Sequence, residues 1–292
     1  MNDNDVLILI YSILTLGGLG LVSSVILYFV AQKFKVYEDP LVNEINETLP
    51  QANCGGCGYA GCNNFAEACV KSANEHKSIS GFFCPVGGND LMKQVAEILS
   101  FTVEDQKPMI AVVRCNGSHT NVPAKSHYEG ISKCLFANNL FAGEGACPNG
   151  CLGLGDCVVS CAFDAITINT ETGLPEVTDA CVACGACVKA CPRAIIELRP
   201  KGPKGKRIYV SCVNTEKGAV AAKNCSVSCI GCQKCFKECP HGAIEMKNNL
   251  AYIDGEKCKL CRKCVEVCPK ASILEINFAP RKPKVTTVEN NC

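Results

Sequence analysis

The longest apolar stretch opens the chain. Val6 to Ala31 runs for 26 residues without a charge, more than the roughly 20 residues that span a bilayer as a helix. Asp3 and Asp5 precede it, and Lys33 and Lys35 follow it. Basic flanks stay on the cytoplasmic side, so this asymmetry predicts a single-pass anchor with everything after Lys33 in the cytoplasm. A cleaved signal peptide is the alternative. It fits poorly, because the leading residues are acidic, the run is long and no clear small-residue cleavage site follows. Gly17, Gly18, Gly20, Ser23 and Ser24 give the helix small residues that would suit packing against other membrane helices, or are ordinary composition.

Beyond the anchor the apolar residues come in short pieces. Asn63 to Ser72 reads as a short helix, and Gly87 to Pro108 as a helical or mixed connector. Ile110 to Cys115 and Arg207 to Cys212 read as related strands, each ending in cysteine. Four segments repeat a helical turn leading to a β-prone stretch: Phe163 to Ile166, Arg193 to Ile196, His241 to Ile244 and Lys270 to Ile273. Thr172-Gly173 and Asn248-Asn249 read as hairpin turns between short strands. The pattern predicts an α+β fold with a pseudo-twofold unit, present twice. With Trp absent and aromatics at 6%, side-chain packing alone does not hold such pieces together.

Cysteine changes the picture. There are 26 in 292 residues, grouped two or three residues apart. Cytoplasmic thiols stay reduced, so dense runs there read as metal ligands rather than disulfides. Cys181, Cys184, Cys187 and Cys191-Pro192 match the C-x-x-C-x-x-C-x-x-x-C-P ligand run of bacterial two-cluster ferredoxins. Cys229, Cys232, Cys235 and Cys239-Pro240 form a second, and Cys258, Cys261, Cys264 and Cys268-Pro269 a third. A fourth is altered: Cys151, then Cys157 and Cys161, with Leu154 in place of the middle cysteine and Ala162 in place of proline. Cys147 is the expected substitute. Ahead of these, Cys54-Gly-Gly-Cys57-Gly-Tyr-Ala-Gly-Cys62 with Cys84-Pro85 makes a further four-thiol site, its glycines letting the backbone wrap a centre. Zinc sites more often pair two separated C-x-x-C units, so iron–sulfur is the stronger reading.

In two-cluster ferredoxins the fourth cysteine of each run ligates the other cluster. The pairing predicts Cys147, Cys151, Cys157 and Cys191 for one centre, and Cys161, Cys181, Cys184 and Cys187 for the next. Cys229, Cys232, Cys235 and Cys268 form another, and Cys239, Cys258, Cys261 and Cys264 the last. With Cys54, Cys57, Cys62 and Cys84 that is five [4Fe–4S] clusters. Cys225-x-x-x-Cys229 echoes Cys147-x-x-x-Cys151, so the two halves read as an internal duplication. It raises a sixth cluster through Cys115, Cys134, Cys212 and Cys225, with buried thiols as the alternative. Cys69 reads as a small buried hydrophobe and Cys292 as a free thiol.

The expected organisation is an anchor (1–36), an N-terminal 4Fe–4S domain (37–90), a connector (91–146), a first ferredoxin-like unit (147–198), a basic linker and strand (199–228), a second ferredoxin-like unit (229–278) and a disordered tail (279–292). The five positive charges from Arg199 to Arg207 read as a solvated linker, or as a docking patch for an acidic electron carrier. The four histidines show no ligand spacing and read as structural. Formal charge is +1, which gives no electrostatic case for nucleic acid. Five clusters with their thiolates would bring it to roughly −9.

An anchor, the motif at Cys54–Cys62 with Cys84-Pro85, the stretch Cys151-Leu-Gly-Leu-Gly-Asp-Cys157 and tandem ferredoxin runs together resemble the RnfB family of Rnf-type ion-translocating oxidoreductases, over almost the whole chain. The first motif alone is less specific, since it is similar to one in the corrinoid iron–sulfur protein of acetyl-CoA synthesis. Two double-cluster units match the longer form of the family. The resemblance implies an electron-relay component of the bacterial inner membrane, its clusters on the cytoplasmic side. It would take electrons from soluble ferredoxin and pass them to flavin-carrying, NADH-binding and integral membrane partners that couple transfer to Na⁺ or H⁺ movement. The sequence agrees in holding no strand-linked G-x-G-x-x-G, no P-loop and no acid–base or nucleophile set, so no complete active site is expected in this chain. A polyferredoxin component of a membrane hydrogenase or dehydrogenase, or a module reducing a redox regulator, are the competing readings.

Overall fold

The computed structural model describes residues 3–34, 39–140 and 142–280. Lys35, Cys292 and the tail beyond Pro280 lie outside them. Helix α1 (Asp3–Lys33) is long and apolar enough to cross a membrane over Ile10–Lys33, and its side chains from Ile10 onward are exposed. Exposed Leu, Ile, Val and Phe along a whole helix suit lipid rather than water.

Three helices follow: α2 (Pro40–Thr48), α3 (Cys62–His76) and α4 (Gly88–Ile98). Asp39 caps α2, accepting from Leu41 N–H at 3.0 Å, and Pro40 sits in the first turn where no donor is needed. Their apolar faces close one core: Ile45, Phe65, Ala66, Val70, Leu91, Met92 and Val95. Tyr59, Phe65 and Phe82 pack as an aromatic trio with ring centroids 5.6–6.0 Å apart. Helix α4 therefore belongs with the N-terminal core, past the boundary expected at residue 90, because Leu91, Met92, Val95 and Ala96 repeat at helical spacing along its buried face.

The rest is built twice. In the first unit, β2 (Ile166–Ile168) and β3 (Pro175–Val177) form a hairpin. The strand β1 (Met109–Val113) pairs antiparallel with β4 (Ile196–Pro200). In the second, β6 (Ile244–Lys247) and β7 (Leu250–Ile253) form the hairpin, and β5 (Arg207–Val210) pairs with β8 (Ile273–Ile276). Asn248 and Asn249 carry φ of 48° and 62°, the left-handed pair that a tight two-residue hairpin needs. The strands ending at Cys115 and Cys212 thus complete the sheets of the two units, instead of lying in connectors.

Short helices stand over each sheet: α5 (Cys134–Leu140), α6 (Asp156–Val159) and α7 (Ala186–Ala190) in the first half, then α8 (Gly218–Asn224), α9 (Lys234–Glu238) and α10 (Lys263–Glu266) in the second. Each unit's apolar core is small and includes its cysteines. Ile166, Ile195 and Ile196 lie with Cys157 and Cys187, while Ile208, Val210, Ile244 and Ile273 lie with Cys235 and Cys264.

The segment from Arg199 to Arg207 is not a solvated linker. Arg199 lies in β4 and Arg207 in β5, and both are buried. Arg199 donates to Ile253 C=O at 2.6 Å, pairs with Glu197 and stacks over Tyr252 at 4.8 Å. Arg114 lies over the same ring at 5.1 Å and donates to Cys212 C=O at 3.2 Å. Two arginines of the first half thereby grip the second.

Candidate metal centres

All cysteines among the described residues are free thiols. They gather in sets of four, and local backbone geometry explains how. Gly55 and Gly58 (φ 68° and 91°) turn the first loop so that Cys54, Cys57 and Cys62 face Cys84. Asn53 Oδ1 accepts from Cys62 N–H at 2.9 Å and pins the loop to α3. The N–H groups of Gly87 and Val86 point at the Cys84 sulfur, while burial pushes its thiol up.

Cys181, Cys184 and Cys187 come together with Cys161. Cys229, Cys232, Cys235 and Cys268 line one cavity, with Ser272 N–H donating to Cys268 Sγ at 3.3 Å. Cys258, Cys261 and Cys264 face Cys239. These four sets are the ones the spacing predicts.

The remaining cysteines divide differently from expectation. Cys151, Cys157 and Cys191 share their cavity with Cys134, not Cys147. Cys134 opens α5, which is tied to α6 through Leu135 N–H on Asp156 Oδ2 at 3.2 Å. Cys147 instead joins Cys115, Cys212 and Cys225 around a separate cavity. The two positions are exchanged, with Cys134 beside Cys151, Cys157 and Cys191 where Cys147 was expected. The physical reason is the duplication. Each half supplies a strand-end cysteine (Cys115, Cys212) and the cysteine four residues before a ligand run (Cys147, Cys225). The echo of Cys147 by Cys225 was the signal that pointed here.

A backbone donor and a side-chain donor aim at this shared site. Cys151 N–H donates to Cys115 Sγ at 3.3 Å, and Asn214 Nδ2 lies 3.9 Å from Cys147 Sγ. Arg193 sits between this set and its neighbour, donating to Asn138 Oδ1 at 3.1 Å and to Gly150 C=O. Burial lowers its guanidinium, and the thiols of Cys147, Cys151 and Cys115 raise it.

Burial is the first cause of every raised thiol. It pushes Cys157, Cys212 and Cys235 up to about 11, and Cys151, Cys187 and Cys264 up to about 12. Such thiols stay protonated until a metal centre replaces the proton, so filling the sites releases protons. The donor set is all sulfur, which selects iron–sulfur or zinc. Among the described residues no three Cys, His, Asp or Glu side chains converge closely enough to grip a single ion. Zinc would hold its thiolates about 3.8 Å apart, given Zn–S near 2.3 Å. Three runs with ferredoxin spacing, each followed by proline, favour iron–sulfur. Cys69, by contrast, is fully buried in the apolar core of α3 and its thiol is pushed up to about 12 by burial, then by Cys57 and Cys84. It packs as a small hydrophobe.

Successive sets are close neighbours. Cys184 faces Cys54, Cys187 faces Cys157, Cys151 faces Cys115, Cys212 faces Cys229, and Cys235 faces Cys264. A β-carbon on Gly56 would come within 2.9 Å of Cys184 Cα, which shows how tightly the N-terminal loop seats on the first unit.

Comparison with known families finds iron–sulfur cluster domains over part of these cysteines. Residues 49–77 match the FeS family of Fe–S cluster motifs. Residues 180–243 and 228–272 match two families of 4Fe–4S dicluster domain. The first of these dicluster matches crosses from one unit to the other, because the intact runs repeat. Among whole proteins, the chain is 40% identical over 84% of its length to the B-type subunit of the Na(+)-translocating ferredoxin:NAD(+) oxidoreductase complex of Acetobacterium woodii, covering 71% of that protein. It is 38% identical over 87% to the proton-translocating counterpart of Clostridium ljungdahlii, covering 86% of it. It is 40% identical over 86% to the B-type subunit of the ion-translocating oxidoreductase complex of Methanosarcina acetivorans, covering 92% of it. With its thiol sets in order and this likeness running nearly end to end, the chain belongs to the RnfB family of ion-translocating oxidoreductase complexes.

Proposed function

We propose that this chain is the electron-relay subunit of a membrane-bound ion-translocating ferredoxin:NAD oxidoreductase. It accepts electrons from ferredoxin and passes them toward membrane partner subunits. The single observation that carries the reading is the unbroken order of facing thiol sets from Cys261 through to Cys54. A relay needs such an order, since electrons pass only between near neighbours. The clusters supply the one-electron chemistry. The chain would hold them and aim backbone N–H groups at their sulfurs, which tunes potential.

Six [4Fe–4S] clusters fit the sets better than five. Their ligands are Cys54, Cys57, Cys62 and Cys84; Cys161, Cys181, Cys184 and Cys187; Cys134, Cys151, Cys157 and Cys191; Cys115, Cys147, Cys212 and Cys225; Cys229, Cys232, Cys235 and Cys268; and Cys239, Cys258, Cys261 and Cys264. The fourth set lies where the duplicated halves meet. Without a centre there, the relay has a gap between the two ferredoxin-like units.

The anchor holds the chain at the membrane, and Lys33 and Lys35 favour the cytoplasmic side for the clusters. The chain then assembles with other subunits of an Rnf-type complex, which supply the flavin, the NADH site and the ion path. The described part of α1 carries no ionisable residue between Ile10 and Gln32 other than tyrosine, so it offers no ion path of its own.

The test is anaerobic purification, iron analysis and EPR during titration with reduced ferredoxin. About twenty-four irons per chain are expected, from six four-iron centres. About twenty would remove the sixth. Clusters that stay oxidised under excess reduced ferredoxin, with partners intact, would defeat the relay reading.

A further inference from the structure

The loop Cys258–Cys264 of the second unit occupies the position that Cys181–Cys187 holds in the first. In the first unit this loop is occupied. The N-terminal loop seats on it, with the Gly56 backbone against Cys184 and the Cys54 thiol facing the Cys184 thiol. The loop is also neutral: Val182, Ala183, Gly185 and Ala186 stand between its cysteines. In the second unit the cover is partial: a β-carbon on Gly202 would come within 2.9 Å of Leu260 Cδ1 and Phe278 packs on Arg262, but Cys261 stays exposed.

Its residues differ in kind as well as in cover. Lys259, Arg262 and Lys263 stand between the cysteines, with Lys257 just ahead. Arg262 is fixed by Glu275 at 2.6 and 2.7 Å and by Phe278 at 5.0 Å. It holds φ of 67° where the first unit has Gly185 at 78°. A long basic side chain there costs backbone strain that glycine avoids. Lys257 lies 3.4 Å from Asp254. Lys259 and Lys263 are exposed and form no ion pair among the described residues. A neutral loop suits a permanent contact inside one chain. A charged one suits a partner that must find the site from solution and leave again.

We propose that the Cys258–Cys264 loop, with Lys259 and Lys263 as its free cations, is the docking surface for a soluble acidic one-electron carrier protein. The inference rests on the relay reading and adds the place where electrons arrive. The exchange is one electron, from the reduced carrier to this chain, with no bond made or broken and no proton moved. It also replaces the basic segment Arg199–Arg207 as a docking patch, since two of that segment's charges are buried.

The test uses the full-length holoprotein and an acidic bacterial ferredoxin, reduced chemically. Stopped-flow absorbance gives the second-order rate of cluster reduction as ionic strength rises. Wild type should show a rate that falls steeply with salt. Lys259→Glu/Lys263→Glu should lower the low-salt rate by about tenfold or more and flatten the salt dependence. Lys259→Gln/Lys263→Gln should fall between the two. Lys204→Glu, an exposed charge in the basic segment, should match wild type. Iron content, and reduction by dithionite, should be equal in all. If wild type is not reduced by ferredoxin at all, the relay reading itself fails. If wild type is reduced but both double variants keep its rate and salt dependence, the relay stands and the docking surface is wrong. Loss in Lys204→Glu instead would also overturn it.

Discussion

The two ferredoxin-like units share one plan and differ in what surrounds it. The first, residues 147–198, has Lys189 and Arg193 against six acidic residues. The second, residues 229–278, has eight basic residues against six acidic ones. The first begins both short helices after glycine, at Gly155 and Gly185; the second begins them after Gln233 and Arg262, which also hold positive φ. Two exposed ligand cysteines, Cys232 and Cys261, lie in the second unit, and the first has none. The lesson is that duplication preserved the sulfur frame, because four thiols must reach each centre, while the outer loops were free to specialise. One unit became an inner link and the other an outer face.

A third region sharpens the contrast. The α2–α4 domain owns a true apolar core with an aromatic trio, whereas both units lean on their cysteines. Removing iron anaerobically with a chelator should therefore have the largest effect. Hydrogen exchange should show lost protection across β1 to β8 and retained protection in α2 to α4. Protection that persists in β1 to β8 would mean that the apolar residues suffice.

The exchange of Cys134 and Cys147 predicts a pattern in double variants. Cys147→Ser should cost about four irons per chain, and adding Cys225→Ser should cost no more, since both serve one centre. Cys134→Ser with Cys225→Ser should cost about eight irons, from two four-iron centres. The opposite pattern would restore Cys147 to the first unit's own cluster.

Smaller effects probe the joint between units. Arg199→Ala removes a buried guanidinium that bonds Ile253 C=O and stacks on Tyr252. It should lower unfolding stability by about 2–3 kcal/mol, read from denaturant melts of the anaerobic holoprotein. An unchanged midpoint would mean the two units are held by something else. The smallest expected change is Gln233→Gly. Gln233 is exposed, and its φ of 61° is one that glycine adopts freely. Melts should rise by about 0.5 kcal/mol; a fall would show that its side chain serves the fold.

Several parts were legible in the sequence. The long apolar N-terminal helix was, because a 26-residue uncharged run is long enough to cross a membrane. Four of the thiol sets were: three from repeated C-x-x-C-x-x-C runs with a partner cysteine in the neighbouring run, and one from the glycine-rich Cys54–Cys62 motif with Cys84. Both hairpins were legible too, from Thr172-Gly173 and Asn248-Asn249. The placement of α4 was less so, because its apolar stripe does not say which neighbour it covers.

The sequence by itself determined how many thiol runs the chain has and that the two halves are copies. Only the tertiary structure decided which lone cysteines join which run. Cys115, Cys134, Cys147, Cys212 and Cys225 lie at strand ends, at helix ends or in irregular chain, with no periodicity to place them. Their partners are set by how β1 and β5 complete separate sheets, and by how Arg114 and Arg199 clamp the halves across Tyr252. That clamp brings two strand ends and two loops to one point. A contact between distant segments, set by packing, carries no local signature in the chain.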